Sequence, residues 1–389
     1  MKKIQTAVYY FPNYHADPRN EAVHGKGWTE WELMKQAHPR FEGHDQPKIP
    51  LWGYEDEADP AVMARKIDAA ADHGVDAFVF DWYWYEGPYL ERCLKEGFLG
   101  APNNSRLKFA LMWANHDWKN FHPGSRDTKN YHIDFPWSTR RETVGFVWDH
   151  IIENFMTRPN YWRVGGLPYF SIYAVNRFIG QMGGVNAAAD VLAEFREKAV
   201  KAGLPGIHIG GIWFDVLDTH PACSECPQSD WAKKIGFSSY TSYNNCCATK
   251  EWFQDFPVID YDKMTEGYLQ IARKAMTTLP APYHPVVTAG WDSTPRCIQS
   301  EVYDSKPGYP YLGVMEPTPE KFGKSVAETV KLVKEHAPDD PVFFINAWNE
   351  WTEGSYLEPD TRFGTAMLDH LKKEGLREIL WVRAELGIG

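Results

Sequence analysis

Positive charge is scarce in this 389-residue sequence: 41 Lys and Arg stand against 52 Asp and Glu, a formal net charge of −11. Phosphate backbones are gripped by concentrated Lys and Arg. No basic run interleaved with aromatics occurs, so nucleic acid is excluded as a partner. No run of 18 apolar residues exists either, which excludes a membrane-spanning helix. The start, Met1-Lys2-Lys3-Ile4-Gln5, enters a strand-like segment at once, without the apolar stretch and small-residue end of a signal peptide. A cytoplasmic protein is the expectation, although a chain trimmed of its leader would read the same.

Cysteine is also sparse. Of the 6 cysteines, Cys223 and Cys226 form a Cys-x-x-Cys, and Cys246 and Cys247 are adjacent. Structural zinc takes two spaced pairs, and the second pair here lacks its spacer. Free thiols in a loop are therefore expected ahead of a structural zinc or a disulfide. His15 and His24 have no third ligand at suitable spacing. No metal and no cofactor is expected. Gly-x-Gly-x-x-Gly, Gly-x-x-x-x-Gly-Lys and Gly-x-Ser-x-Gly are all missing, so dinucleotide, P-loop and serine-nucleophile chemistry lack their turns.

Aromatic residues are abundant: 17 Trp, 20 Tyr and 21 Phe, together 15% of the chain. Trp and Tyr offer an apolar face with a polar edge, a shape that stacks on sugar rings. It equally fills a core, so position along the chain has to decide. Strand-like runs recur at Ile4–Phe11, Val75–Trp82, Leu107–Trp113, Leu167–Tyr173, Gly206–Trp213, Gly236–Thr241, Pro285–Gly290 and Val342–Trp348. Between them lie helical candidates at 89–98, 138–155, 185–202, 262–279 and 318–336, another after Thr361, and a short one at 229–234. Asp59-Pro60 and Thr318-Pro319-Glu320 are helix starts, each with a capping side chain and a proline at the first position. In 318–336, Phe322, Val326, Val330 and Val333 form one apolar stripe. Alternation of this kind predicts a single-domain (β/α)8 barrel over residues 1–389, with long loops at 12–58 and 214–235. A doubly wound open sheet is the alternative.

Barrel enzymes gather their reacting groups at the C-terminal strand ends. The first end and its loop carry Tyr10, Tyr14, Trp28 and Glu30, and the second Asp81, Trp82 and Trp84. The third carries Trp113, Asn115 and His116 beside Asp117; the fourth to sixth carry Tyr173, Trp213 and Tyr240. The seventh ends in Trp291 and Asp292, and the eighth in Asn349, Glu350 and Trp351. Aromatics at every strand end, with few in the helices, favour a carbohydrate-binding cleft formed by these residues. His116 reads equally as a hydroxyl-orienting group or a satisfied structural histidine. Asp260-Tyr261-Asp262 has the form of a metal–nucleotide-sugar motif, but its place before a helix favours N-capping.

Glycoside cleavage needs two carboxyl groups. Glu350 and Glu353 stand three apart after the last strand, where a helical turn would set both on one face, about 5–6 Å apart at their β-carbons. Such closeness goes with retention of configuration and raises one pKa, which makes a proton donor. A solvated Glu beside an N-capping Glu is the bland alternative. The flanking Trp348, Asn349 and Trp351 favour catalysis.

The sequence resembles the glycoside hydrolase family 99-like proteins, related to the endo-α-mannosidases and often labelled O-antigen-cluster glycosyltransferase-like. The matching motifs are Gly27-Trp28-Thr29-Glu30-Trp31, Gly43-His44-Asp45-Gln46-Pro47, Phe80-Asp81-Trp82-Tyr83-Trp84, Gly290-Trp291-Asp292-Ser293-Thr294-Pro295-Arg296, and the segment from Asn346 to Asp360 around Trp348-Asn349-Glu350-Trp351-Thr352-Glu353-Gly354. The resemblance implies a (β/α)8 fold without a required metal. It further implies that Glu350 acts as base on a sugar 2-hydroxyl, closing a 1,2-anhydro intermediate, while Glu353 protonates the leaving oxygen and later activates water. The chain departs from the related pattern Ala-Asn-Glu-Asn-Trp at Ala114-Asn115-His116-Asp117-Trp118, an exchange at what the resemblance implies is a substrate contact. The expectation is a retaining glycoside hydrolase acting on an α-linked oligosaccharide or polysaccharide. A glycosyltransferase of polysaccharide synthesis and a non-catalytic sugar-binding barrel are the alternatives.

Overall fold

A computed structural model describes residues 2–127, 129, 131–212, 228–245, 255–337, 339 and 341–374. Its main sheet contains β1 (Gln5–Tyr10), β2 (Ala77–Trp84), β3 (Lys108–Trp113), β4 (Leu167–Ile172) and β5 (His208–Ile212). Next come β6 (Ser239–Thr241), β7 (Tyr283–His284), β8 (Val286–Thr288) and β9 (Val342–Asn346). Pairing is parallel from β1 round to β7 and between β8 and β9, and β9 pairs with β1. β7 and β8 are halves of one barrel position. Pro285 between them has no N–H to give, but its carbonyl accepts from Phe344 N at 2.8 Å. Val286 N donates instead to the Tyr268 hydroxyl at 2.8 Å. The ring therefore closes as a (β/α)8 barrel, not an open sheet.

The helices are α1 (Pro18–His24), α2 (Trp31–Gln36), α3 (Pro60–Asp72), α4 (Val144–Ile151), α5 (Val175–Met182), α6 (Val185–Lys201), α7 (Gln228–Ile235), α8 (Tyr261–Thr278) and α9 (Pro319–His336). Residues 366–374 are helical too. Asp59 caps α3 by accepting from Ala61 N at 2.8 Å, and Asp260 caps α8 by accepting from Lys263 N at 2.9 Å. Asp262 pairs with Lys321 at 2.9 Å, so the Asp-x-Asp is a helix start. The stripe of α9 is buried as expected.

Three features differ from the expectation. The long loop after β1 folds part of itself into α1 and α2. α5 follows β4 where no helix was foreseen. The 89–98 candidate is a wide π-helical turn over Cys93–Phe98. Cys93 and Cys297 are buried free thiols. Cys223, Cys226, Cys246 and Cys247 lie outside the described residues. Among the described residues, no helix is long and apolar enough to cross a membrane.

Aromatic rings fill the barrel interior. Tyr9 stacks on Phe344 at 5.3 Å, Tyr169 lies 5.8 Å from Phe344, and Trp162 packs on Tyr169 at 4.8 Å. Much of the aromatic content is therefore core, beneath the strand ends. Beside β9, Lys66 of α3 is 1% exposed and bridges Glu57 at 2.6 Å and Glu358 at 2.5 Å. Burial opposes its charge, but the two carboxylates outweigh that and raise its pKa. Glu57 also accepts from Asn349 at 2.9 Å and Glu358 from Trp351 at 2.8 Å, so the cluster holds the segment after β9. Lys66→Met should cost roughly 3–5 kcal/mol, because two buried carboxyls lose their shared cation. Chemical unfolding of the two proteins measures it, and a loss below about 1 kcal/mol would contradict this account.

Candidate active site

A cavity of about 360 Å³ opens at the C-terminal ends of the strands. Tyr83, Trp118, Tyr173, Tyr243, Trp291 and Tyr309 contribute to its wall, and Asp81, Arg296, Glu350 and Glu353 also line it. Its size falls within the range of small-molecule sites.

The two glutamates sit on a tight hairpin. Asn349–Glu350 pairs antiparallel with Ser355–Tyr356, and one 3-10 turn, Trp351–Glu353, joins them. That turn sets Glu350 and Glu353 beside the same guanidinium. Gly354 closes it at φ 61°, in the left-handed region that glycine adopts without strain. A β-carbon there would come within 2.5 Å of Asp292 Cβ. Asp292 N in turn donates to the Glu353 carbonyl at 2.5 Å, so the loop after β8 is laced to the hairpin.

Arg296, on a 3-10 turn after β8, is the hub. Its Nε donates to Glu30 at 2.9 Å, its Nη1 to Glu353 at 2.5 Å and to the Tyr309 hydroxyl at 2.6 Å, and its Nη2 to Glu350 at 3.3 Å. The Tyr309 hydroxyl itself donates to Glu353 at 2.9 Å. Tyr243 OH lies 2.9 Å from Asp81 Oδ2 and 3.3 Å from Glu350 Oε1. Three carboxyl groups thus crowd around one buried cation, and Asp81 joins them through the Tyr243 hydroxyl.

Their ionisation divides accordingly. Burial opposes the charge of Glu30, but Arg296 beside it, with the Thr352 hydroxyl, holds its carboxyl below the usual range. Burial pushes Glu350 well up, and its neighbour Glu353 pushes it further against the pull of Arg296. Glu353 is also raised by burial, with Arg296 and Tyr309 opposing. Asp81 is raised by burial, opposed by the Tyr243 hydrogen bond. Burial pushes His122 down to about 4, leaving it a neutral ring near Glu30.

A second buried cluster braces the hub from behind. Asp292 Oδ2 accepts from Gln46 at 2.6 Å and Lys48 at 2.7 Å and faces His44 Nε2 at 2.9 Å. His44, Asp292 and Glu316 bring three ligand-type atoms within 4.8 Å of one another. Lys48 lies among them, 2.5 Å from Glu316, and its ammonium already supplies the positive charge.

The family model of the glycosyltransferase WbsX matches residues 6–371. The chain belongs to the WbsX glycosyltransferase family. This WbsX-family chain is 29% identical over 376 residues to the uncharacterized protein WxcX of Xanthomonas campestris pv. campestris, covering 93% of the chain and 48% of WxcX. It spans about half the length of the curated relatives it matches. Among solved structures, the GH99 endo-alpha-mannosidase from Bacteroides thetaiotaomicron matches at TM-score 0.58 and 14% identity, covering 98% of each chain. A glycoside hydrolase-like protein matches at TM-score 0.62 and 14% identity, over 96% of this chain and 94% of its own. Both likenesses concern the fold, and they agree with the family 99-like resemblance of the sequence motifs.

In this WbsX-family fold, six of the residues expected at the site line the cavity: Asp81, His116, Tyr173, Trp291, Glu350 and Glu353. Others stand behind it. Tyr10 packs on Met63, Trp82 donates to Glu91 at 2.7 Å, Trp84 lies 5.1 Å from His150, and Trp113 packs on Trp148 at 5.5 Å. Tyr240 OH donates to the Ala232 carbonyl at 2.9 Å. Side chains alternate across a strand; Asp81 and Tyr83 point in, so Trp82 and Trp84 point out.

Another group braces the cavity wall. Glu30 holds Arg296, while Asp292 anchors the Lys48 cluster. Asn115 brackets the Ala174 backbone at 2.7 and 3.0 Å, and Asn349 brackets that of Phe11 at 2.7 and 2.8 Å. Tyr14 packs on Trp31 at 4.0 Å, Trp351 stacks on Tyr356 at 3.8 Å, and Trp28 stacks on His24 at 4.1 Å. Trp213 lies outside the described residues. Arg296, Tyr309 and Trp118 line the cavity without having been singled out, although Arg296 and Trp118 stood inside quoted motifs; Tyr243, which lines it too, stands beyond the sixth strand end that Tyr240 marks.

Two outcomes follow from this crowding. Glu350 carries a raised pKa in the folded state, so its contribution to stability is present below its unfolded pKa and lost as pH rises through the folded one. Glu350→Gln, which removes the titration, should therefore raise the melting temperature more near pH 8 than near pH 5. Equal shifts at both would contradict it. Gly354→Ala should destabilise by about 1–3 kcal/mol through its clash with Asp292, read from the same unfolding curves.

Proposed function

We propose that this chain is a glycoside hydrolase that cleaves an α-linked glycan with retention of configuration, through Glu350 and Glu353. The observation that carries this reading is the pair on one guanidinium, Glu353 at 2.5 Å and Glu350 at 3.3 Å, inside an aromatic-walled cleft. Carboxyls this crowded suit the close spacing of retaining enzymes and leave less room for the water of an inverting one. Pairs of this kind hold one proton between them, which supplies an acid and a base together.

By the family 99-like resemblance, Glu350 takes the proton of the sugar 2-hydroxyl and Glu353 protonates the leaving oxygen. Glu353 then activates the water that opens the 1,2-anhydro ring, and the product keeps its configuration. In the reacting state that proton is on Glu353, whose Oε1 accepts from Arg296 and Tyr309 and whose Oε2 is left to carry it; burial favours a second proton, on Glu350. For Glu350 to act as a base, that proton must first leave it. Tyr173, Trp118 and Tyr309 offer stacking faces for sugar rings, and His116 stands where the chain departs from the family 99-like pattern.

A glycosyltransferase is the second reading, favoured by the family's own description. Against it, Asp260 is spent on capping α8 and Asp262 on Lys321.

The deciding experiment is a panel of α-linked oligosaccharides, led by mannose-containing ones, with NMR following the anomer first released. The wild type should cleave at least one, internally or from an end. Glu350→Gln and Glu353→Gln should each lose roughly 10²–10⁴-fold in rate. Full activity in both variants would remove the two acids from the mechanism, and an inverted first product would remove retention. Calorimetric binding of a nucleotide sugar, without cleavage of any panel member, would favour transfer.

A further inference from the structure

Tyr243, just beyond β6, is 5% exposed and has a single phenolic proton. Its oxygen is 2.9 Å from Asp81 Oδ2 and 3.3 Å from Glu350 Oε1. One proton cannot make both bonds. The line is complete only when one carboxyl is an acid that donates to Tyr243 and the other is a carboxylate that accepts from it. Asp81 also has little to hold it in one form. Its Oδ1 has no hydrogen-bond partner, and no cation contacts it among the described residues.

We propose that Asp81 is the proton store for Glu350, connected to it through the Tyr243 hydroxyl. The proton on Glu350 Oε1 passes to the Tyr243 oxygen as the phenolic proton passes to Asp81 Oδ2. Two O–H bonds break and two form. Tyr243 stays neutral, Asp81 becomes the acid, and Glu350 becomes the carboxylate. The negative charge moves from Asp81, which has no cation beside it, to Glu350, which faces Arg296 Nη2 at 3.3 Å. Glu350 can then accept the sugar 2-hydroxyl proton, and it returns that proton when the anhydro ring opens.

The inference rests on the reading of Glu350 as base. The charged groups facing the line are Glu353 and Arg296, with Glu30 behind them. The phenols of Tyr9, Tyr14, Tyr83 and Tyr309 are kept protonated by burial. Tyr243 is likewise held as a phenol, above all by burial, so it passes protons without becoming an anion.

Two measurements test this. In the first, side-chain carboxyl carbons of ¹³C-labelled protein are followed by NMR from about pH 4 to about pH 9, with Asp81→Asn and Glu350→Gln giving the assignments. Near neutral pH, the Asp81 and Glu350 carbons of the wild type should both stand between their acid and carboxylate positions. Tyr243→Phe leaves every charge in place but removes the relay oxygen, and should return each carbon to a single step of its own. Full ionisation of both carboxyls in the wild type, or an unchanged pattern in Tyr243→Phe, overturns the proposal.

The second measurement is the pH profile of kcat for Asp81→Asn on whichever panel glycan the wild type cleaves. Loss of a proton store leaves Glu350 protonated to higher pH, so the acid limb should move up. A merely fixed charge at Asp81 predicts the opposite, because its removal would ease the ionisation of Glu350. An acid limb that moves down or stays in place overturns the proposal. The NMR titration needs no substrate, so the relay can fail while the hydrolase reading stands, and the reverse.

Discussion

Arg296 is the one cation on which the arrangement of the candidate site depends. It is buried, it touches Glu30, Glu350 and Glu353, and these come from the loop after β1 and the hairpin after β9. Taking a guanidinium out of water is costly unless its donors are satisfied, and here carboxylates and a phenol satisfy them. Burial opposes the Arg296 charge, yet Glu30 and its other neighbours raise its pKa, so it stays charged. The Asp292–Lys48 cluster and the Glu57–Lys66–Glu358 cluster repeat the device on either side of the hairpin. Three buried charge clusters fix the loops, while the barrel supplies the frame.

Such fixation suits a site that must hold like charges together. Glu350, Glu353 and Asp81 would relax apart in a soft loop. Here Gly354 packs on Asp292, Asn349 grips the Phe11 backbone at both its N–H and its carbonyl, and Trp351 stacks on Tyr356. Preorganisation of this kind confines the strain of crowded acids to a few side chains.

The barrel was legible in the sequence because its signals are local: apolar runs for buried parallel strands, and Asp-Pro or Thr-Pro starts for helices. The glutamate pair was legible from its spacing. The cleft lining was not read correctly from strand-end aromatics, because Trp82, Trp84 and Trp113 belong to the face turned to the helices. The period of two along β2, applied from Asp81, would have sorted them and found Tyr83. Arg296 could not be found this way, and Tyr243, though it stands at a strand end, showed nothing of its role. Their importance lies in contacts across more than fifty residues of chain to Glu353 and more than a hundred to Glu350, which no local pattern encodes.

The stacked rings of Tyr9, Phe344, Tyr169 and Trp162 are core, and they also set what lies under the site. They fill the barrel axis beneath the cavity, which makes a packed floor and not a pore. A ligand on Glu350 and Glu353 therefore rests above packed rings, where an open barrel would have let solvent through from beneath.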